Sequence, residues 1–211
     1  MIGQWSTACT LTAPGGALSA DQNTYHGMLE VQLEEGHRMT NILLTGPPGV
    51  GKSTALRRVV EQLGIHRADG FFSEEIRERG TRVGFGITTL TGVRGLLAHV
   101  SGVRGPTVGK YSVNLADIET IAVPSMKRAR LSGKTIVVDE IARMELCSPR
   151  FVEEVSECLG TGRVLGTIQM RRDPFLDSVR RRPDVELIEV THINRECVPV
   201  EVLRRMGNLT R

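Results

Sequence analysis

Between a short apolar run, ILLT, and a segment with apolar residues at positions 55, 56, 59, 60 and 63, the chain reads GPPGVGKS, Gly46 to Ser53. The stretch satisfies GxxxxGK[ST] in the context that gives this pattern meaning, directly behind a strand and directly ahead of a helix. Glycines let successive backbone N–H groups turn inward, and the helix that follows offers its positive end to the same point. A polyphosphate fits such a cradle. The alternative is a glycine-rich connection with a chance lysine, which the flanking strand and helix and a total of only four lysines disfavour.

The rest of the pattern extends that unit. GFFSEEIRERG and TRVGFGITTL read as two extended runs around a polar turn, an antiparallel hairpin. GKYSVNL is a further short extended piece, followed by the helical LADIETIAVPSMKRARLSG. TIVVDE is an apolar, β-branched run ending in two acids, the pattern of a strand buried on both faces. SPRFVEEVSECLG reads as a helix opened by Ser-Pro, RVLGTIQ as a strand, PFLDSVRRR as a short helix, VELIEV as a strand and NRECVPVEVLRRMG as a last helix broken into by Pro199. Strands alternating with helices predict an α/β layered sheet with one antiparallel insertion.

Residues 1–38 show neither helical nor strand period and are rich in small, turn-forming residues. They are expected to be a flexible extension, with residues 39–211 forming the domain. A sharper reading is a misassigned start, because Glu34-Glu35-Gly36 can be encoded by a purine-rich run resembling a bacterial ribosome-binding site just ahead of Met39. The extension carries four acids and one base, leaving 26 basic against 20 acidic residues in the remainder. That excess suits phosphate-bearing ligands, but with 4% aromatic residues a nucleic acid is not expected as the main ligand. No membrane span or secretory pattern is expected, and Cys9, Cys147, Cys158 and Cys197 form no metal or CxxC spacing, which fits a reducing cytoplasm.

Roles for individual residues follow from the cradle. The Lys52 ammonium would reach the terminal phosphates, and the Ser53 hydroxyl would ligate Mg²⁺. The strand TIVVDE would deliver Asp139 to the carboxyl edge of the sheet as the second Mg²⁺ ligand. Glu140, turned away from Asp139 in an extended chain, would align a water as general base, with Glu145 the next candidate. Thr191, Asn194 and Arg195 follow the last strand and could contact base or ribose, although Asn-Arg could equally start a helix. Arg94, in a Gly-flanked TGVRG, is a candidate internal arginine finger. Arg180, Arg181 and Arg182 suggest either a kinase lid or a solvated helix end. His37 and His99 lack metal-ligand companions and are read as structural.

Taken in order, NILLTGPPGVGKST, DGFFSEEIRERGTRVGFGITTLTGVRG, VGKYSVNL, IVVDEIARMEL, VLGTI and VTHINRE resemble the THEP1-type nucleoside-triphosphatases from Thr40 to about Met206. The resemblance implies a P-loop NTPase three-layer fold with a mixed, mainly parallel sheet and an antiparallel hairpin insertion. It implies slow, base-tolerant, Mg²⁺-dependent hydrolysis of nucleoside triphosphates. Nucleotide contacts carry over to Gly46, Pro47, Pro48, Gly49, Val50, Gly51, Lys52, Ser53 and Thr54. A second segment carries over to Thr135, Ile136, Val137, Val138, Asp139, Glu140, Ile141 and Ala142. Where the family reads DEIGKMEL this chain has DEIARMEL, and Ala142 denies the loop the left-handed backbone that glycine allows. Two other functions fit the phosphate loop: a nucleoside or nucleotide kinase, and a regulatory module switched by nucleotide.

Overall fold

The computed structural model describes residues 40–207; the readings made for residues 1–38, including His37 and Cys9, lie outside them. Its strands are β1 (Asn41–Thr45), β2 (Ala68–Glu78), β3 (Thr81–Thr89), β4 (Arg94–His99), β5 (Thr107–Val108), β6 (Tyr111–Val113), β7 (Thr135–Ile141), β8 (Val164–Ile168) and β9 (Val185–Glu189). Between them run α1 (Lys52–Leu63), α2 (Leu115–Asp117), α3 (Val123–Leu131), α4 (Pro149–Leu159), α5 (Pro174–Arg180) and α6 (Val198–Arg205). All nine strands form one sheet in the order β5-β6-β4-β3-β2-β7-β8-β1-β9. From β2 to β9 neighbours are parallel, and from β2 through β3, β4 and β6 to β5 they are antiparallel.

Alternation along the central strands divides the core into two layers. Ile42, Leu44 and Val137 face α1 and α6 with Leu56, Val59, Val60 and Val202. Leu43, Ile136 and Val138 face the other way, toward Met126 of α3, Phe151 and Val155 of α4 and Leu176 of α5. A strand sandwiched in this way must be apolar at every position, which is why β7 and β1 read as continuous hydrophobic runs. Phe71 and Phe151 meet edge to face at 6.1 Å in the second layer.

Local sequence explains the helix boundaries. Ser148 accepts the Phe151 N–H and Asp173 accepts those of Phe175 and Leu176, each followed by a proline in the first turn, where no N–H is missed. The helical LADIETIAVPSMKRARLSG is continuous in space but carries a π turn, Ile118–Ala122, in which the Val123 N–H reaches back to Ile118 O. The wider turn passes the chain into Pro124, which has no N–H to offer.

Two expectations need correction. The antiparallel part is larger than a hairpin, because Arg94–His99 forms a third long strand, β4, where the sequence suggested a glycine-flanked loop. Gly95 is there for close packing: a Cβ would lie 2.4 Å from Ile121 Cδ1. The last helix begins at Val198, four residues later than expected, with Asn194–Cys197 forming turns ahead of it. Pro199 falls in its first turn, so it starts the helix.

Candidate nucleotide site

Gly46 leaves β1 with φ +143°, and a Cβ on it would sit 2.5 Å from Val190 O, so no other residue fits without moving the strand end. Val50 is buried in the α1 layer and anchors the loop from its middle, while Pro47, Pro48 and Gly49 are exposed above it. Gly51, at φ +112°, turns the chain into α1. Lys52 folds back over the loop, its Nζ donating to Gly46 O at 3.1 Å and Pro47 O at 3.2 Å.

The strand β7 meets that loop at the same edge. Asp139 is fully buried, and its Oδ1 accepts from Ser53 Oγ and from Thr167 Oγ1 of β8, both at 2.9 Å. Burial pushes its carboxyl above the usual range, while the Thr167 and Ser53 hydroxyls, the Arg57 charge and the Ser73 main chain act the other way. Its Oδ2 has no well-formed hydrogen bond. Arg57, one helical turn beyond Ser53, stacks its guanidinium over Phe72 at 4.3 Å.

Glu140 addresses a different partner, with Oε1 3.8 Å from Lys52 Nζ. Burial raises its carboxyl from the ordinary value, the Lys52 ammonium lowers it and Asp139 raises it again. The peptide bond between the two acids is cis, and the β7–β8 ladder skips between Val138 and Ile141. The other members of the segment serve the fold: Ile136, Val137, Val138 and Ile141 are core side chains, and Thr135 lies at the opposite end of β7. Ala142 is buried and has no positive φ, consistent with its missing the freedom of a glycine.

Over the start of α1 the loop after β9 closes a shallow cleft of about 100 Å³, lined by Gly51, Thr54, Ala55, Arg58, Arg195 and Glu196. The Arg195 side chain lies across Gly51, its Cδ 3.6 Å from where a Cβ would be. The candidate site is therefore a strand-edge cradle joined to a buried aspartate through a serine hydroxyl, with a lysine facing a second acid. Residues 41–203 match the sequence profile of the family described as NTPase. The chain belongs to the THEP1-type nucleoside-triphosphatase family.

Its relatives include the nucleoside-triphosphatase THEP1 of Thermotoga sp. (strain RQ2), 42% identical over 163 residues that span 77% of this chain and 92% of that one. The human cancer-related nucleoside-triphosphatase is 38% identical over 172 residues, covering 74% of this chain and 90% of the relative. Among solved structures, the THEP1 crystal structure from Aquifex aeolicus superimposes with a TM-score of 0.72 at 36% identity, covering 78% of this chain and 97% of the other.

In this member of the THEP1-type family the outlying candidates fall as follows. Asn194 is committed to its own loop: its Oδ1 accepts the Thr191 N–H at 2.8 Å and its Nδ2 donates to Glu189 O at 2.8 Å. It shapes the loop that carries Arg195. Arg94 begins β4, three strands away from β7, about 14 Å at ordinary strand spacing, and is exposed there. Arg180 donates to Gln169 O and Arg171 O and pairs with Asp177, and Arg182 grips the Asp184 carboxylate with two N–H groups. Those two arginines are occupied in holding the chain after β8 and before β9; Arg181 is exposed. His99 Nδ1 lies 2.8 Å from Ser101 O, in a strand-end turn.

From the sequence alone Glu145 is only a reserve base and nothing marks Gln169. Glu145 is 3% exposed, and one oxygen of each side chain is buried without a partner. A signal existed for the first: Glu145 stands between Met144 and Leu146, both of which pack on the core.

Proposed function

We propose that this protein hydrolyses nucleoside 5′-triphosphates, ATP and GTP among them, to the diphosphate and phosphate, using Mg²⁺ and a water aligned by Glu140. One observation carries the reading: Lys52, Ser53, Asp139 and Glu140 converge where the phosphate loop meets the end of β7. The donor set suits a hard cation. Ser53 Oγ and Asp139 would supply oxygen ligands, and Asp139 Oδ2 is a buried acceptor with no protein partner. Bound there, Mg²⁺ supplies positive charge to the phosphate oxygens.

The protein's own groups then divide the work. Main-chain N–H groups of the loop other than at Pro47 and Pro48, which have none, and Val50, whose N–H is on Pro47 O, would cradle the phosphates at the start of α1, and Lys52 would exchange its bonds to Gly46 O and Pro47 O for phosphate oxygens. Glu140, released from the ammonium, accepts a proton from water as the water oxygen bonds to the terminal phosphorus. The bond from that phosphorus to the bridging oxygen breaks, and the electron pair leaves on the diphosphate. Arg195 and Thr54 border the cleft where base and ribose would lie, and a guanidinium stacked on a base accepts any base. The cytoplasm is the proposed setting.

Phosphate release from ATP, GTP, CTP and UTP with no acceptor present tests this. Release from all four, dependent on Mg²⁺ and lost in Lys52→Ala, is expected. Release seen only after adding a nucleoside or monophosphate would make the protein a kinase, and none under any condition would leave nucleotide binding alone.

A further inference from the structure

The wall of the cleft beside the phosphate loop carries one acid between two arginines. Glu196, in the turn after β9, accepts through Oε2 from Arg58 Nη1 of α1 at 2.5 Å, and its Oε1 lies 3.5 Å from Arg195 Nε. Each oxygen of the carboxylate therefore faces a guanidinium, and all three side chains border the same cleft as Thr54 and Ala55. Thr54 and Arg58 are one helical turn apart, so they stand on one face of α1.

The main chain fixes where Glu196 stands. The Arg195 N–H donates to Thr191 O, and the Cys197 and Val198 N–H groups both donate to Asn194 O. The Asn194 side chain ties the turn back to the Thr191 N–H and Glu189 O. None of these bonds involves Arg58, so the turn keeps its carboxylate at the cleft whether or not that arginine is present.

A base lying across Arg195 would bring its polar edge to this carboxylate, and the four bases offer it different things. Guanine presents two adjacent donors, an imino N–H and an amino group. Adenine and cytosine each present an amino group beside an unprotonated ring nitrogen, and uracil presents one N–H flanked by carbonyl oxygens. An ionised carboxylate only accepts, so a free one would take guanine in two charge-assisted bonds and uracil least well. A carboxylate already engaged by two arginines has nothing left to select with.

We propose that Arg58 is a specificity-determining residue: by occupying Glu196 it silences an acceptor that would otherwise select guanine, and leaves Arg195 to stack on any base. The inference rests on the hydrolase reading above, which puts the base of the bound triphosphate in this cleft. Base tolerance then comes from one ion pair across the cleft, not from a lack of polar groups in it. Both partners are exposed, at 46% and 64%, so the pair adds little to stability and can be removed from a folded chain.

Equilibrium titration with the β,γ-imido analogues of ATP, GTP, CTP and UTP, which resist hydrolysis, tests this in Mg²⁺ buffer, with inorganic triphosphate as the control for lost charge. The parent should bind all four analogues within about threefold of one another. R58M keeps a long side chain and good helix propensity without the charge. Its preference for the guanine over the uracil analogue should exceed the parent's by about 5- to 100-fold, whatever it loses toward inorganic triphosphate. The double variant R58M/E196A has no acceptor at that place and should return to the parent's ratio. An unchanged ratio in R58M overturns the proposal, as does a preference that survives in R58M/E196A or that the parent already shows. A parent that binds all four analogues alike while R58M changes nothing refutes this inference alone; a parent that binds none of them refutes the nucleotide site beneath it as well.

Discussion

Glu140→Gln should slow hydrolysis and tighten triphosphate binding together, and the Lys52–Glu140 pair sets the size of the second effect. At 3.8 Å two unit charges attract by about 4 kcal/mol at an effective dielectric of about 20. Both side chains are largely withdrawn from water, at 11% and 28% exposure, so desolvation cancels most of that and about 1 kcal/mol remains. Phosphate oxygens must break the pair to engage Lys52. With Gln at 140 there is no pair to break, and at about 1.4 kcal/mol per tenfold the affinity should rise about fivefold. Loss of the general base should lower the chemical step by about 10²–10⁴-fold. Single-turnover hydrolysis and equilibrium titration with the same triphosphate measure both quantities on one preparation. Hydrolysis within tenfold of the parent would place the base elsewhere, and weaker binding would show that Glu140 holds Lys52 in place instead of competing for it.

Asp139→Asn should lose Mg²⁺ dependence and triphosphate affinity together, which separates it from Glu140→Gln in the same titration; retained Mg²⁺ dependence would remove Asp139 from the metal site. Gly46→Ala puts a Cβ against Val190 O at a backbone angle only glycine adopts freely, and should cost about 2–5 kcal/mol in urea unfolding; a parent-like midpoint would refute the tight approach. Glu145 binds its proton more tightly in the folded chain than unfolded, so stability should fall as pH rises from the ordinary carboxyl range through its raised folded value. E145Q should flatten that decline in thermal melts, and an identical slope would show that Glu145 does not contribute. Arg195→Ala should weaken nucleoside triphosphates by about 2- to 30-fold while sparing inorganic triphosphate, and equal losses for both would put Arg195 on the phosphates.

The phosphate loop was legible because its pattern is local: three glycines, a lysine and a serine at fixed spacing, with strand and helix adjoining. The place of Asp139 and Glu140 was legible because an apolar strand buried on both faces carries its closing acids to the sheet edge beside the loop. The strand β4 was not, since Thr-Gly-Val-Arg-Gly reads as a turn until Ile121, from a helix 26 residues on, is seen to press on Gly95. Asn194 was ambiguous for a related reason. An asparagine that holds a loop and one that holds a ligand have the same sequence, and only the Thr191 and Glu189 bonds separate them. The burial of Glu145 was half legible: its neighbours Met144 and Leu146 are apolar, but how fully the turn encloses it is seen only in three dimensions.

The position of β1 sets when the site can exist. Although it is the first described strand, its partners are β8 and β9, with Ile42 beside Leu165 and Asn41 beside Val185, more than 120 and 140 residues later. A chain emerging from the ribosome makes the phosphate-loop sequence early but has nothing to dock it against until almost the whole domain is out. Closing loops of that length makes β1 docking a slow, late event in folding. A chain cut short before β8 would carry every residue of the phosphate loop and still lack its cradle, so triphosphate binding reports that synthesis has reached the end of the domain.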